Sequence, residues 1–211
     1  MIFKNLFSKP EPCPNPKSIF VGLMGGVGDL VLAAPSVAAL KQKFPDAEIC
    51  FGVGESIFYT TIKNDPNIDR FETPFLYNVW KPRERRKIER QKISKFDRVI
   101  LLDNPTREWW KEKKHLIDIY AEKCGVHLET RRPIMYLNDE DKVQGTELLD
   151  QAGFEYGDRL VVLSPEVRSK QEIKEWPQNN FFELIKRINR IPCVKIVSFI
   201  LFISVNKSPV S

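Results

Sequence analysis

The chain has 211 residues, of which 42% are hydrophobic and 29% are charged. This composition supports a packed core and excludes a disordered chain, and the length favours one large domain or one domain with part of a second. Two histidines and four scattered cysteines, at positions 13, 50, 124 and 193, exclude a His-rich or all-cysteine metal site. Their spacing predicts reduced thiols and not a disulfide framework.

The charge and the apolar segments indicate where such a chain works. The net charge of +5 suits an anionic small molecule, an acidic lipid surface or a nucleic acid, without choosing among them. Lys4 and Lys9 interrupt any apolar signal-peptide core, and the longest apolar stretch, residues 196–205, is far shorter than the roughly 18 residues that span a bilayer. The sequence predicts a soluble protein of the cytoplasm.

The first elements in chain order predict a βαβ unit. A Pro-rich leader, residues 1–17, precedes an apolar run at 18–24 that is typical of a strand buried on both faces. A Gly-rich turn at 25–28, apolar residues at helical spacing up to Pro45 and a second strand at 47–53 complete the unit. Pro35 falls inside this helix and predicts a kink there; the alternative is that the helix begins at Pro35.

Predicted strands and helices continue to alternate along the chain, and a second series of them begins near residue 160. The pattern predicts helices at 56–63, 82–95, 107–124 and 139–152, with Gly125 and Gly153 as terminating glycines, and strands at 70–73, 98–103 and 133–137. A second series has a strand at 160–165, a helix from Pro177 to Arg190 and a strand at 194–205. Because two parallel strands cannot bury both faces, this second domain is predicted to be unfinished. The predicted organisation is a leader (1–17), a first domain (18–137), a connecting helix and linker (138–157) and the start of a second domain (158–211).

The loop GGVGDL, residues 25–30, lies at the carboxyl end of the first predicted strand, where open α/β sheets bind ligands. It lacks the GK[ST] of a Walker A loop, and Val31 replaces the third glycine of the dinucleotide fingerprint that Gly26 and Gly28 begin. Asp29 would repel a phosphate at this position, which indicates a loop that handles a hydroxyl or a cation. The alternative is that Asp29 only caps the helix.

Four segments together resemble the heptosyltransferase family, also called glycosyltransferase family 9: GGVGDLVLAAPSVAALKQKFPDAEICFGV (25–53), NDPNIDRFE (64–72), HLIDIY (115–120) and VVLSPEVRSKQEIKEWPQNNFFELIKRI (161–188). The resemblance implies an α/β fold of GT-B type, with a Rossmann-like acceptor domain followed by a nucleotide-sugar domain. It implies an inverting, metal-independent glycosyltransferase of lipopolysaccharide biosynthesis that needs no cofactor and takes ADP-heptose as its donor substrate.

The resemblance also assigns candidate site residues. Asp29 matches the general base, Gly28 is the small residue that lets the substrate approach, and Gly26 belongs to the same acceptor loop. Asp103 is a candidate acceptor contact from its position and not from the resemblance, because it ends a predicted strand at the ligand-facing edge; a turn-forming role is the alternative. The donor residues are Arg168, Ser169 and Lys174, of which Lys174 meets the phosphates. The alternative for Lys174 is a solvated side chain before a helix.

The segment KPRERRKIERQK, residues 81–92, is the strongest charge cluster, and a helix would place Arg83, Arg86, Lys87 and Arg90 on one side. The resemblance implies a basic surface for an anionic glycolipid acceptor, with peripheral contact to the inner membrane surface. A solvated helix interleaved by Glu84 and Glu89 is the alternative. Nucleic acid is not expected as a partner, because RNA binding would need aromatic stacking residues within the cluster and only Trp80 adjoins it.

His115, in the HLIDIY segment, is predicted to be a packed helix residue and not a catalytic one.

The chain departs from the family after residue 196, where complete members continue with a Gly-Gly-Pro turn and an Asp-x-Gly-x-x-His stretch that holds the nucleotide. The sequence therefore predicts a C-terminally truncated or frameshifted copy whose activity is in question. Two other hypotheses stay open: a non-catalytic remnant that binds an acceptor, and a Rossmann-like dinucleotide enzyme, which the glycine spacing favours and Asp29 opposes.

Overall fold

The computed structural model describes residues 13–54, 59–75, 83–102, 113–164, 176–192 and 194–198. The chain divides into two compact units, one up to Asn138 and one from Asp139. Most of the predicted Pro-rich leader lies outside the described residues.

The first unit is built on a parallel sheet. Its strands are β1 (Ser18–Leu23), β2 (Glu48–Val53), β3 (Arg70–Glu72) and β4 (Arg98–Leu101), in the spatial order β3-β2-β1-β4. β1 pairs with β2 from Ser18↔Glu48 to Leu23↔Val53, and β4 lies on the other side of β1. The predicted strands that begin near residues 18, 47, 70 and 98 and the parallel βαβ arrangement are confirmed, and the order is that of a Rossmann-like sheet.

In the described part of this unit, three helices accompany the sheet: α1 (Val27–Lys43), α2 (Arg83–Ile93) and α3 (Leu116–Cys124). α1 runs without interruption through Pro35, so the alternative start at Pro35 is wrong. The sequence predicted that the helix now labelled α3 begins near residue 107. Residues 113–115 are not helical, so this prediction is wrong for them, and residues 107–112 lie outside the described residues. Gly125 closes α3 with φ 67°, as its predicted role as a terminating glycine requires.

Alternate residues of β1 supply two cores. Ile19, Val21 and Leu23 face a large cluster that includes Leu30 of α1 and Tyr120 of α3. On the opposite side, Phe20 packs with Cys50, Phe75 and Ile93, and the Phe20 ring lies 4.9 Å from that of Phe75. Burial on both faces explains why β1 is apolar at nearly every position.

A carboxylate clamp joins the first helix to the sheet. Asp69 Oδ2 accepts hydrogen bonds from the Ile49 N–H at 2.7 Å and from Lys41 Nζ at 2.9 Å. Burial opposes ionisation of this carboxyl, but the Ile49 N–H and the Lys41 ammonium outweigh it and lower the pKa of Asp69. The clamp holds α1, β2 and the start of β3 in one arrangement.

Because the pKa of Asp69 is lowered on folding, its contribution to stability is present above the carboxyl's unfolded pKa of about 4 and is lost as the pH falls further. We expect Asp69→Asn to lower the free energy of unfolding at pH 7 by about 1 kcal/mol. The variant should also lose less stability than the wild type between pH 5 and pH 3, measured by urea unfolding. The matched control is Asp46→Asn, at an exposed position; an equal loss in both variants would contradict the clamp.

Residues 133–137 form no strand, so that prediction is wrong. The segment is held by side chains: Asn67 Nδ2 donates to Tyr136 Oη at 3.0 Å and to Asp65 Oδ1 at 2.8 Å. Asp65 is 3% exposed, and burial raises its pKa. Side-chain hydrogen bonds between Tyr136 and the loop that contains Asn67 are therefore found where the predicted strand would have formed backbone hydrogen bonds.

The second unit contains α4 (Asp139–Gln151), β5 (Arg159–Leu163), α5 (Gln178–Ile188) and β6 (Val194–Ser198). These elements confirm the predicted second series, although residues 165 and 199–205 of its predicted strands lie outside the described residues. β5 and β6 pair in parallel from Arg159↔Val194 to Leu163↔Ser198. Gly153, with φ 71°, follows α4, and Pro177 is the N-cap of α5. On β5, Leu163 is buried whereas Leu160 and Val162, on the opposite face, are exposed.

Candidate active site

The glycine loop joins the centre of the first sheet to α1. β1 ends at Leu23, Gly26 is the N-cap of α1 in an extended conformation, and the helix begins at Val27. The loop thus lies at the carboxyl end of an inner strand, which is where parallel α/β sheets bind their ligands. The structure confirms this predicted placement.

Asp29 is the third residue of α1, and its carboxylate turns back toward the loop. Oδ2 accepts the backbone N–H of Gly26 at 2.8 Å, which satisfies a donor that the helix itself leaves unpaired. The negative charge also complements the positive end of the helix dipole. Asp29 therefore has the capping role that the sequence gave as an alternative, while its role as a general base stays a prediction.

Gly25 makes this arrangement possible, and the sequence analysis did not single it out. A Cβ at Gly25 would lie 2.4 Å from Asp29 Cβ and 2.6 Å from Asp29 Oδ2, closer than non-bonded atoms approach. The signal was available in the Gly-Gly doublet at the start of the loop. Gly28 is exposed on the first turn of α1, and an added Cβ there would have nothing within 4 Å.

The second oxygen of the same carboxylate faces α3. Tyr120 Oη donates to Asp29 Oδ1 at a long 3.4 Å, and the Tyr120 side chain belongs to the buried core. Sequence reasoning quoted the HLIDIY segment but gave Tyr120 no role, because a contact across 91 positions leaves no local signal.

His115 differs from its prediction. It is exposed and is the N-cap of α3, where its Nδ1 accepts the Ile117 N–H at 3.3 Å. The prediction of a packed helix residue is wrong, because the helix begins one residue later and leaves the imidazole outside its packed face.

Lys123, near the end of the same helix, donates from Nζ to the Leu102 carbonyl at 2.9 Å, just past the carboxyl end of β4.

Four of the predicted site residues, Asp103, Arg168, Ser169 and Lys174, lie outside the described residues. Their roles as acceptor and donor contacts stay predictions. Asp29, Gly26 and Gly28 are the predicted site residues that the structure brings together.

The basic segment forms α2 as predicted. Arg83, Lys87 and Arg90 are exposed and, with Glu84, line one open cleft. The alternative of a solvated helix interleaved by two glutamates is wrong for Glu89, which is 2% exposed. Glu89 Oε1 accepts from Lys92 Nζ at 3.2 Å, while its Oε2 is buried without a hydrogen-bond partner. Burial of Glu89 on the core side leaves the outer surface of α2 more strongly cationic than its sequence suggests.

Within the described ranges, His, Cys, Asp and Glu side chains form no group of three that could hold a metal ion. A search of the same residues for a helix long and apolar enough to cross a bilayer finds none.

The described geometry defines a class of protein: a parallel α/β unit of Rossmann-like order with a carboxylate at the ligand-binding edge of its sheet. Its fold is that of the family 9 glycosyltransferases and ADP-heptose heptosyltransferases. A family 9 glycosyltransferase from Veillonella parvula matches with a TM-score of 0.65 at 18% identity, over 88% of this chain and 63% of the other. The resemblance inferred from the sequence is thereby confirmed at the level of the fold.

Two Escherichia coli structures are similar as well. ADP-heptose lipopolysaccharide heptosyltransferase II matches with a TM-score of 0.56 at 14% identity, over 87% of this chain and 64% of its own length. The heptosyltransferase WaaC with ADP matches with a TM-score of 0.53 at 15% identity, over 86% of this chain and 66% of its own length. The chain thus spans about two thirds of the length of these structures or slightly less. No family model and no curated protein matches the sequence.

Proposed function

We propose that this protein is a metal-independent, inverting glycosyltransferase of GT-B type. It would move a sugar, heptose in the proposal, from an ADP-sugar to a lipopolysaccharide-core or related anionic glycan at the cytoplasmic face of the membrane. The observation that carries the proposal is the Asp29 carboxylate at the carboxyl end of β1, in a fold shared with solved heptosyltransferases.

In the proposed reaction, a hydroxyl of the acceptor attacks the anomeric carbon of the donor sugar. Asp29 takes the hydroxyl proton as the new C–O bond forms, and the bond to the diphosphate oxygen breaks on the opposite face of the sugar. ADP leaves with the bonding electron pair. Without a metal, its developing charge must be met by cations and backbone donors, the role predicted for Lys174, Arg168 and Ser169.

The carboxylate needs an accepting lone pair for this proton. Its two capping contacts, from Gly26 N–H to Oδ2 and from Tyr120 Oη to Oδ1, engage one lone pair on each oxygen. Since each carboxylate oxygen carries two, one on each oxygen is left for the acceptor hydroxyl. Capping the helix and activating the acceptor are therefore compatible roles for one side chain.

The cleft beside α2 supports an anionic acceptor. Among the described residues, the lining consists of three cations, Arg83, Lys87 and Arg90, which attract phosphate or carboxylate groups, and one anion, Glu84. Long-range attraction of this kind weakens when salt screens the charges.

The double substitution Lys87→Glu with Arg83→Glu is expected to raise the KM for an anionic acceptor about tenfold at low salt, with kcat within a factor of two, because it reverses the charge of the cleft. Initial rates at increasing acceptor concentration give both constants. Lys142→Glu with Lys186→Glu, two exposed lysines of the second unit, makes the same charge change elsewhere and serves as the control. An equal rise in KM for both double variants would assign the effect to net charge alone.

The function itself is tested with the full chain, an ADP-heptose donor and a lipopolysaccharide-core acceptor in the presence of EDTA. The proposal expects ADP release together with an acceptor mass increased by one sugar. A chain that binds the acceptor but releases no ADP, and shows no ADP binding by calorimetry, would be the non-catalytic acceptor-binding protein. Binding of NADH in a fluorescence titration would instead favour a dinucleotide enzyme.

A further inference from the structure

Tyr120 is the one member of the HLIDIY segment whose side chain reaches the carboxylate of the proposed site. It is 4% exposed, and its hydroxyl donates to Asp29 Oδ1 at 3.4 Å. The phenol ring packs in the same core cluster as Leu30 of α1, the residue next to Asp29. A buried tyrosine whose hydroxyl contacts a carboxylate at the carboxyl end of the sheet is a candidate for a role in orienting that carboxylate.

Three features determine where the Asp29 side chain lies: two hydrogen bonds and one space that a glycine leaves open. The Gly26 N–H holds Oδ2 at 2.8 Å, and the Tyr120 hydroxyl approaches Oδ1. The absent Cβ of Gly25 leaves the space that the folded-back side chain occupies, since a Cβ there would lie 2.6 Å from Oδ2. Two of the three constraints belong to the loop itself, and only Tyr120 comes from a distant element.

The helix that carries Tyr120 is capped at both ends. His115 Nδ1 accepts the Ile117 N–H at its beginning, and Gly125 ends it in a left-handed conformation with its N–H donating to Glu122 O. Lys123 Nζ ties the last turn to the Leu102 carbonyl, beyond the end of β4. Lys43 Nζ of α1 also donates to the Gly125 carbonyl at 2.8 Å. α3 is therefore held both at the sheet edge and against α1, the helix that carries Asp29.

We propose that Tyr120 is a positioning residue that orients the Asp29 carboxylate toward the acceptor hydroxyl, an inference that rests on the proposed function. A general base works only when its lone pair points at the proton it removes, and small misplacements cost much of the rate. A single hydrogen bond at Oδ2 does not fix the plane of the carboxylate, and the Tyr120 contact at Oδ1 supplies the second point that defines this plane. The 3.4 Å contact is long, and bonds of this kind shorten when substrate fills the site.

The test uses Tyr120→Phe, which retains the buried ring and removes only the hydroxyl. We expect kcat to fall about three- to tenfold, the factor that corresponds to one hydrogen bond of ordinary net strength, with the KM of donor and acceptor unchanged. The control is Tyr59→Phe, a half-buried tyrosine whose ring packs against Phe71 at 4.8 Å. This variant should match the wild type in both constants.

A second readout does not depend on turnover. The carboxyl ¹³C resonance of Asp29, assigned by its disappearance in Asp29→Asn, should move in Tyr120→Phe and stay in place in Tyr59→Phe at one fixed pH. An unmoved resonance, or an unchanged kcat in an active enzyme, overturns the positioning role. If the wild type shows no turnover but the resonance moves, the Tyr120–Asp29 contact is supported and only the proposed function fails.

Discussion

Asp29→Asn is expected to lower kcat by about 10²- to 10⁴-fold, the usual contribution of a general base, with little change in the binding of ADP. Asparagine has nearly the same shape, and its side-chain oxygen can still accept the Gly26 N–H that Asp29 Oδ2 accepts at 2.8 Å. The substitution therefore removes the proposed base and keeps the cap. Steady-state rates of ADP release and calorimetric titration with ADP measure the two effects.

Asp29→Ala completes the comparison, because alanine removes base and cap together. We expect it to lose turnover as Asp29→Asn does, and to lose an additional 0.5–2 kcal/mol, roughly, of the free energy of unfolding. If Asp29→Asn retained wild-type turnover and only Asp29→Ala were impaired, Asp29 would be a helix cap and no part of the chemistry. Asp46→Asn, at an exposed position after α1, controls for the loss of one negative charge.

Phe20→Ala is expected to destabilise the first unit by about 3–5 kcal/mol, the cost of emptying a buried aromatic site. Phe20 is 1% exposed, and its ring lies 4.9 Å from that of Phe75 and 5.2 Å from that of Phe96. The cavity would open between β1 and α2, where the Phe20 ring packs with Cys50, Phe75 and Ile93. These side chains would lose their contacts with the Phe20 ring. Urea unfolding followed by circular dichroism measures the change.

Phe182→Ala is the matched control, because Phe182 lies on α5 of the second unit and is 59% exposed. We expect its effect to stay within about 0.5 kcal/mol of zero. Comparable losses in both variants would mean that the Phe20 cluster does not stabilise the first unit as its packing indicates.

The glycine loop shows how far local reasoning reaches. The break between an apolar run and a helical pattern placed GGVGDL at the carboxyl end of β1, and the structure confirms that position. The acidic residue in the first helical turn predicted a cap, and Asp29 forms it with Gly26. Both follow from interactions between near neighbours, which residue type and spacing specify.

His115 and Glu89 show where the same reasoning fails. His115 was assigned to a helix interior, but the helix begins at Leu116 and the imidazole caps it. Glu89, in a strongly charged segment, is solvated in the alternative interpretation of that segment, but it is 2% exposed on the core side of α2. Element boundaries and the inward face of a charged helix depend on what packs against them, which a local pattern does not contain.

The sequence by itself determined the parallel βαβ construction and the place of the glycine loop, because both are encoded by short-range periodicity and turn chemistry. The family resemblance came from motif segments of the sequence, and the shared fold supports it. Only the tertiary structure decided that Tyr120 reaches Asp29 from 91 residues away and that Asn67 contacts Tyr136 within the first unit. Such contacts exist only once the sheet has brought distant segments together. Their residues are therefore identified by packing, not by their place in the chain.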